Sequence, residues 1–164
     1  MKLLVFSDTH GHPQPMLDTL LQEQEGLHAC FHLGDVARDL TPLQKAFPKL
    51  PLYAVQGNCD IGSNEPLEGL APFGNLLFFY THGHTLHVKY SLDDLLERAH
   101  RSGADAALFG HTHTPLYKKR DGVHLFNPGS LALPRSGPPT YGRILLQGGE
   151  VSFELCQFKH VHSF

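Results

Sequence analysis

A mixed α/β layered fold is predicted for this chain by three observations. Apolar runs of four to seven residues recur along it, and several stop abruptly at Asp, Asn or His beside glycine. In the first two-thirds these runs alternate with stretches whose apolar residues recur at helical spacing. In the last third they come in pairs across Gly-containing turns.

Taken in order, Lys2 to Ser7 reads as a buried strand, with Leu3, Leu4, Val5 and Phe6 in one apolar run and Asp8-Thr9-His10-Gly11-His12 as the loop after it. Pro13 and Pro15 open a helix whose apolar face is Met16, Leu17, Leu20 and Leu21, and Gly26 stops it. Leu27 to Leu33 is a second strand running into Gly34-Asp35. Leu40 to Phe47 reads as a short helix closed by Pro48 and Pro51, and Leu52 to Val55 as a third strand ending at Gly57-Asn58.

From Ile61 to Asn75 glycines and prolines leave no period, which reads as a loop holding at most an edge strand. Leu76 to Tyr80 is a strand running into Thr81-His82. Ser91 then caps a helix, with Asp94 as capping-box partner, Leu92, Leu95, Leu96 and Ala99 as its apolar face, and Gly103 as its end. Ala106 to Phe109 is the strand before Gly110-His111. Leu116 to Lys119 and Val123 to Phe126 pair across Asp121-Gly122, and Arg143 to Leu146 and Val151 to Phe158 across Gly148-Gly149. Lys159 to Phe164 reads as a tail.

The gross numbers narrow the function. At 164 residues the chain is expected to form one domain, residues 1–164, with a proper core. Its formal charge of −3 excludes a basic field for non-specific nucleic-acid binding. No apolar run approaches the ~18 residues of a membrane span, and Asp8 comes too early for a signal peptide. Cys30, Cys59 and Cys156 are odd in number and far apart, which predicts no disulfide framework and a cytoplasmic protein without a membrane partner.

The chemistry is carried by Asp8-Thr9-His10, Gly34-Asp35, Gly57-Asn58-Cys59-Asp60, Thr81-His82-Gly83-His84 and Gly110-His111-Thr112-His113. With thirteen histidines in the chain, one His-x-His pair carries little weight. All five stretches fall at the ends of expected strands, however, and ligands in layered α/β folds gather at the carboxyl ends of strands. Brought together, Asp8, His10, Asp35, Asn58, His82, His111 and His113 offer carboxylate, imidazole and amide-oxygen donors without a thiolate, a mixture suited to Mn, Fe or Zn. Seven donors are too many for one tetrahedral ion and suit two, with Asp35 able to bridge a pair ~3.5–4 Å apart. Two divalent cations against the two carboxylates leave a net positive charge that attracts a phosphate and acidifies a bridging water.

Plainer readings apply elsewhere. Asp8 alone could be a turn or helix-cap residue, and the four companion stretches outweigh that. Cys30 reads as core packing. His12 and His87 read as exposed or neighbouring side chains; His28, His32, His100, His124, His160 and His162 read as structural or surface residues. Asn127-Pro128-Gly129-Ser130 reads as a tight turn bracing the metal loops.

In their order, D-x-H, G-D, G-N-C-D, T-H-G-H and G-H-T-H resemble the calcineurin-like metallophosphoesterases. Phe126-Asn127-Pro128-Gly129-Ser130 is similar to their small bacterial and archaeal phosphodiesterase branch, the YfcE and MJ0936 type, whose fold the retromer subunit Vps29 shares. The resemblance runs from Met1 to about Phe158 and implies two packed mixed β-sheets flanked by helices, a four-layer αββα sandwich. It implies one divalent ion held by Asp8, His10, Asp35 and His113, a second held by Asp35, Asn58, His82 and His111, and a hydroxide between them attacking phosphorus. It places manganese first among Mn, Fe, Zn and Ni, and implies a small phosphate-ester substrate and a homo-oligomer. Asn58 and His84 would touch substrate, while His10, Asn58, Cys59 and Asp60 would form the catalytic group. One departure stands out: the wider superfamily has histidine after the motif asparagine, and here that residue is Cys59. A thiol is less well matched to donating a proton at neutral pH, so substrates with good leaving groups are expected. The alternatives are a phosphomonoesterase or nucleotide pyrophosphatase, or a Vps29-like protein-binding scaffold.

Overall fold

The computed structural model describes residues 1–159, so the tail from residue 160, with His160 and His162, lies outside the described residues. In chain order the elements are β1 (Lys2–Phe6), α1 (Gln14–Glu23), β2 (Leu27–His32), α2 (Leu40–Ala46), β3 (Leu52–Ala54), β4 (Glu68–Phe73) and β5 (Leu76–Thr81). They continue with α3 (Asp93–Arg101), β6 (Ala106–Leu108), β7 (Leu116–Arg120), β8 (Val123–Asn127), β9 (Thr140–Gln147) and β10 (Glu150–Gln157). Short 3₁₀ turns at Ala37–Asp39 and His84–Leu86 lie in the loops that follow β2 and β5.

Two five-stranded mixed sheets result, ordered β10-β9-β1-β2-β3 and β4-β5-β6-β8-β7. Side-chain alternation along each strand decides what the faces bury. Leu3 and Val5 point into the core shared by both sheets, with Phe31, Phe78, Phe126 and Ile144. Leu4 and Phe6 point the other way, onto Met16 and Leu20 of α1 and Leu40 and Leu43 of α2. In the second sheet Phe78 and Tyr80 face the shared core, while Phe79 packs on Leu95, Leu96 and Ala99 of α3. Strands buried on both faces read as unbroken apolar runs. The layers are therefore helix, sheet, sheet, helix, as expected from the resemblance.

The unpatterned stretch holds the edge strand allowed for it: β4 pairs only with β5, at the sheet edge, where Pro72 costs no ladder hydrogen bond. Two local expectations needed correction. The capping box at α3 does not form: Ser91 Oγ accepts from the Asp93 backbone N–H (3.1 Å), and Asp94 instead pairs with His87 Nδ1 (3.0 Å). Finally, β9 begins at Thr140, earlier than the apolar pattern showed, because Gly142 lies against Phe126, where a Cβ would come within 2.4 Å of the ring.

The parallel pairs β1–β2–β3 and β5–β6–β8 put their carboxyl ends on one rim of the sandwich. Backbone contacts knit the loops there together, including Asp8 N–H to Gly34 O (3.0 Å) and Gly110 N–H to His82 O (3.1 Å).

Candidate metal centre

Three of the five loops leave their strands through a sharp reversal. Asp8, His10, Asp35, His111 and His113 all have left-handed backbone, with φ between 45° and 68°. Asp and His tolerate that region better than most residues, and such strain persists only where the surroundings hold it. The holding groups are visible. Ser130 Oγ donates to Asp8 O (2.8 Å) and Asn127 Nδ2 to Gly110 O (2.9 Å). Asp39 accepts from Gly11 N–H (2.8 Å), and His32 links Thr9 Oγ1 (3.0 Å) to the Gly34 N–H (3.4 Å). Gly34, at φ 94°, passes so close that a Cβ would sit 2.7 Å from Gly57 N and 2.9 Å from His82 Nδ1.

The loops bring the expected donors together as two groups. Asp8, His10, Asp35 and His113 offer atoms within 4.8 Å of one another, and so do Asp35, His82 and His111. Asn58 joins the second, its Oδ1 3.2 Å from His82 Nε2. Asp35 belongs to both groups: its Oδ2 lies 3.7 Å from His10 Nε2 and 3.5 Å from His82 Nε2.

Hydrogen bonding shows what the centre is built to hold. His82 Nδ1 lies 2.6 Å from Leu33 O and His113 Nδ1 2.7 Å from Leu133 O. A carbonyl only accepts, so Nδ1 carries the hydrogen in each ring, and in the neutral imidazole Nε2 turns a lone pair inward. There it meets a carboxylate oxygen or further ring nitrogens. His113 Nε2 is 3.2 Å from Asp8 Oδ1 and 3.2 Å from His10 Nε2, and His82 Nε2 is 3.2 Å from His111 Nδ1. Asp8 Oδ1 is buried and makes no hydrogen bond of good geometry. The inward lone pairs of His82 and His113, beside the carboxylates of Asp8 and Asp35, suit a cation, and an imidazole fixed by a carbonyl behind it is the usual arrangement at a metal. The donor chemistry fits first-row divalent ions.

The charges agree. Burial opposes ionisation of Asp35, but the hydrogen bond and charge of His82 and the Cys59 N–H outweigh it and hold the carboxyl below the usual range. Asp8 is likewise lowered against its burial by His113, His82 and Ser7. The Asp8 carboxylate, 3.2 Å away, raises His113, and Asp35 and Asp8 raise His82 despite its burial. Protons and cations therefore compete for the same nitrogens, so cation affinity falls on acidification.

Around this centre, Asp60 is placed differently from a proton relay. Its Oδ2 accepts from the Asp35 and Gly57 N–H groups (3.0 and 2.7 Å) and its Oδ1 from Ala37 N–H (2.7 Å). That carboxylate clamps two loops together and makes no hydrogen bond to Cys59. Asp60→Ala, which strands three donors, should cost about 2–3 kcal/mol of stability and ~10–100-fold in activity. The pH–rate profile should keep its shape; loss of one limb would restore a proton-transfer role. Cys59 is exposed, and its thiol is raised by partial desolvation and by Asp35 and Asp60, so it keeps its proton. His84 is half-buried, its ring 5.3 Å from His82 and 6.1 Å from His111, with Nδ1 lacking a hydrogen bond.

Sequence patterning did not single out the bracing groups Ser7, Asp39 and the Leu33 and Leu133 carbonyls, and it took His32 for structural or surface. A carbonyl partner leaves no signal in a sequence, whereas a histidine alternating with core residues in β2 does. Burial pushes the His32 imidazole down to about 4, against the pull of Asp8, Asp39 and Asp60. The unfolded chain takes up this proton near ~6.5. Stability present above that pH should therefore drain away as pH falls towards 4, by about 3 kcal/mol from this residue. Urea midpoints of chelator-treated protein from pH 7 to 4.5 should show the slope, and His32→Gln should flatten it.

Residues 1–149 match the calcineurin-like phosphoesterase superfamily domain. The chain belongs to this family. The phosphodiesterase YfcE of Escherichia coli K12 is 32% identical over 168 residues, 88% of this chain and 87% of that protein. A solved structure from Streptococcus pneumoniae TIGR4, titled a predicted phosphoesterase, superposes with a TM-score of 0.84 at 24% identity, over 97% of this chain and 90% of that one. Vps29 of Entamoeba histolytica superposes with a TM-score of 0.75 at 22% identity, over 97% of this chain and all of that one. At those identities the two structures show the shared fold alone. Membership in a metallophosphoesterase family makes this chain a hydrolase by kinship and implies divalent metal ions, for which the gathered donors are the candidate ligands. No helix among the described residues is long and apolar enough to cross a membrane.

Proposed function

We propose that this metallophosphoesterase is a binuclear phosphodiesterase, with Asp8, His10, Asp35 and His113 holding one divalent ion and Asp35, Asn58, His82 and His111 the other. The observation that carries the reading is Asp35, the one side chain common to both donor groups. When bound, a pair of divalent ions supplies charge to a phosphate and acidifies water at neutral pH.

The chain's own groups set the rest. Asn58 is exposed at the mouth, with its Oδ1 turned to His82; its Nδ2 donates one hydrogen to Cys59 Sγ (3.5 Å) and has a second for a phosphate oxygen. His84, at the same rim, orients the substrate. Cys59 keeps its proton and is a weak acid, so the departing oxygen must leave with little help, which favours diesters with acidic alcohols or phenols. Manganese is the first metal to try, in a cytoplasmic protein acting on a small phosphate ester, as a homo-oligomer.

The test is metal reconstitution followed by initial rates on bis(p-nitrophenyl) phosphate and p-nitrophenyl phosphate. Faster Mn-dependent cleavage of the diester supports the reading. Faster cleavage of the monoester makes it a phosphomonoesterase. No turnover with Mn, Fe, Zn or Ni leaves a protein-binding scaffold of the Vps29 kind.

A further inference from the structure

A groove of about 490 Å³ lies between the segment Val36–Gln44 and the loop Cys59–Glu65. That volume is in the range of small-molecule sites, ~300–1,000 Å³. Two of its lining residues also build the metal centre's wall: Cys59 N–H donates to Asp35 Oδ1 (2.9 Å), and Asp60 accepts from Asp35 N–H (3.0 Å). A substrate whose phosphate sits at the donor cluster therefore has this groove next to it.

The segment after Asp35 is held in an unusual shape. Val36 has φ 86° and ψ 74°, a region that a β-branched residue rarely enters. Strain of this kind persists where the surroundings over-determine it. Here Asp60 grips Ala37 N–H (2.7 Å) and Asp39 grips Gly11 N–H (2.8 Å), fixing the residues on both sides of Arg38. Arg38 is exposed on the groove and, among the described residues, its guanidinium makes no hydrogen bond or ion pair. By contrast, Arg98, Arg101, Arg120 and Arg143 each close on a carboxylate. Arg135, also unpaired, lines no part of this groove. Across from Arg38, Glu65 offers an acceptor for a hydroxyl or amine, and Ile61, 98% exposed, offers an apolar contact.

We propose that this groove is the leaving-group subsite and that Arg38 selects phosphodiesters whose leaving group carries a second anionic group, of which a nucleotide with a terminal phosphate is the type. The proposal rests on the phosphodiesterase reading above. A guanidinium held on a rigid turn suits bidentate contact with phosphate.

The test uses Mn-loaded protein and two dinucleotides, thymidylyl-thymidine and the same molecule phosphorylated at both ends, so that whichever oxygen departs carries a phosphate. Wild type should prefer the phosphorylated form. Arg38→Gln should lower the ratio of the two kcat/KM values ten-fold or more, Arg38→Glu should lower it further, and Arg38→Lys should keep part of it. Equilibrium dialysis of thymidine 3′,5′-bisphosphate supplies a readout without turnover, with binding ten-fold or more weaker to Arg38→Glu than to wild type. An unchanged ratio, or equal affinity for the bisphosphate, overturns the assignment. Wild-type cleavage of bis(p-nitrophenyl) phosphate reports separately on the phosphodiesterase reading, so the two failures are told apart.

Discussion

Asp35→Asn is expected to lower metal-dependent phosphodiester hydrolysis at least about a thousand-fold, some 4 kcal/mol of transition-state stabilisation. The substitution keeps the shape of the side chain and an oxygen for the Cys59 N–H, which Asp35 Oδ1 accepts at 2.9 Å. It removes the negative charge shared by the two donor groups and offers an amide N–H₂ where His10 and His82 direct their ring nitrogens, 3.7 and 3.5 Å from Oδ2. Manganese stoichiometry by calorimetry should fall from two to one or fewer, while the circular dichroism spectrum of the fold stays unchanged. Cleavage by the variant at the wild-type rate with excess Mn would end the binuclear reading.

The second large effect is expected at a residue with no chemistry of its own. A Cβ on Gly57 would lie 2.1 Å from Asp35 Oδ1 and 2.5 Å from Asp35 N. The carboxylate could swing aside, but the backbone nitrogen cannot, because Asp60 holds it. Gly57→Ala should therefore cost about 1–3 kcal/mol of stability through overpacking and about a hundred-fold or more in activity, with weakened Mn binding. Gly26→Ala is the control: its φ of 68° strains an alanine, yet its Cβ would meet nothing within 4 Å. That variant should lose about 1 kcal/mol and keep its activity. Equal activity losses in the two variants would mean that Gly57 acts through general stability alone.

Much of this architecture was legible in the residues, for identifiable reasons. Leu3 to Phe6 is a continuous apolar run because both faces of β1 are covered, one by the second sheet and the other by α1 and α2. Asp121-Gly122 and Gly148-Gly149 announce their hairpins because two consecutive left-handed residues, at φ 48° and 85° and at 61° and 83°, are what such turns require. β4 showed only as room for an edge strand, without bounds, because such a strand needs only one good hydrogen-bonding side and can carry Gly69 and Pro72. The Ser91 box misled because Asp94 had a competing partner, His87, seven residues back and outside the capping pattern.

By itself the sequence determined the donor types, their order, and their placement after strands, since these are local properties of chain stretches a few residues long. Only the tertiary structure decided which atoms face which: His10 meets His113 across 103 positions, and Asp35 meets Cys59 across 24. It also decided that Asp60 clamps loops, that carbonyls of Leu33 and Leu133 aim two imidazoles inward, and that Arg38 is left unpaired on a groove. Periodicity encodes which face of an element is buried; it carries no information on which distant atom that face will meet, because sheet pairing and loop packing set that distance.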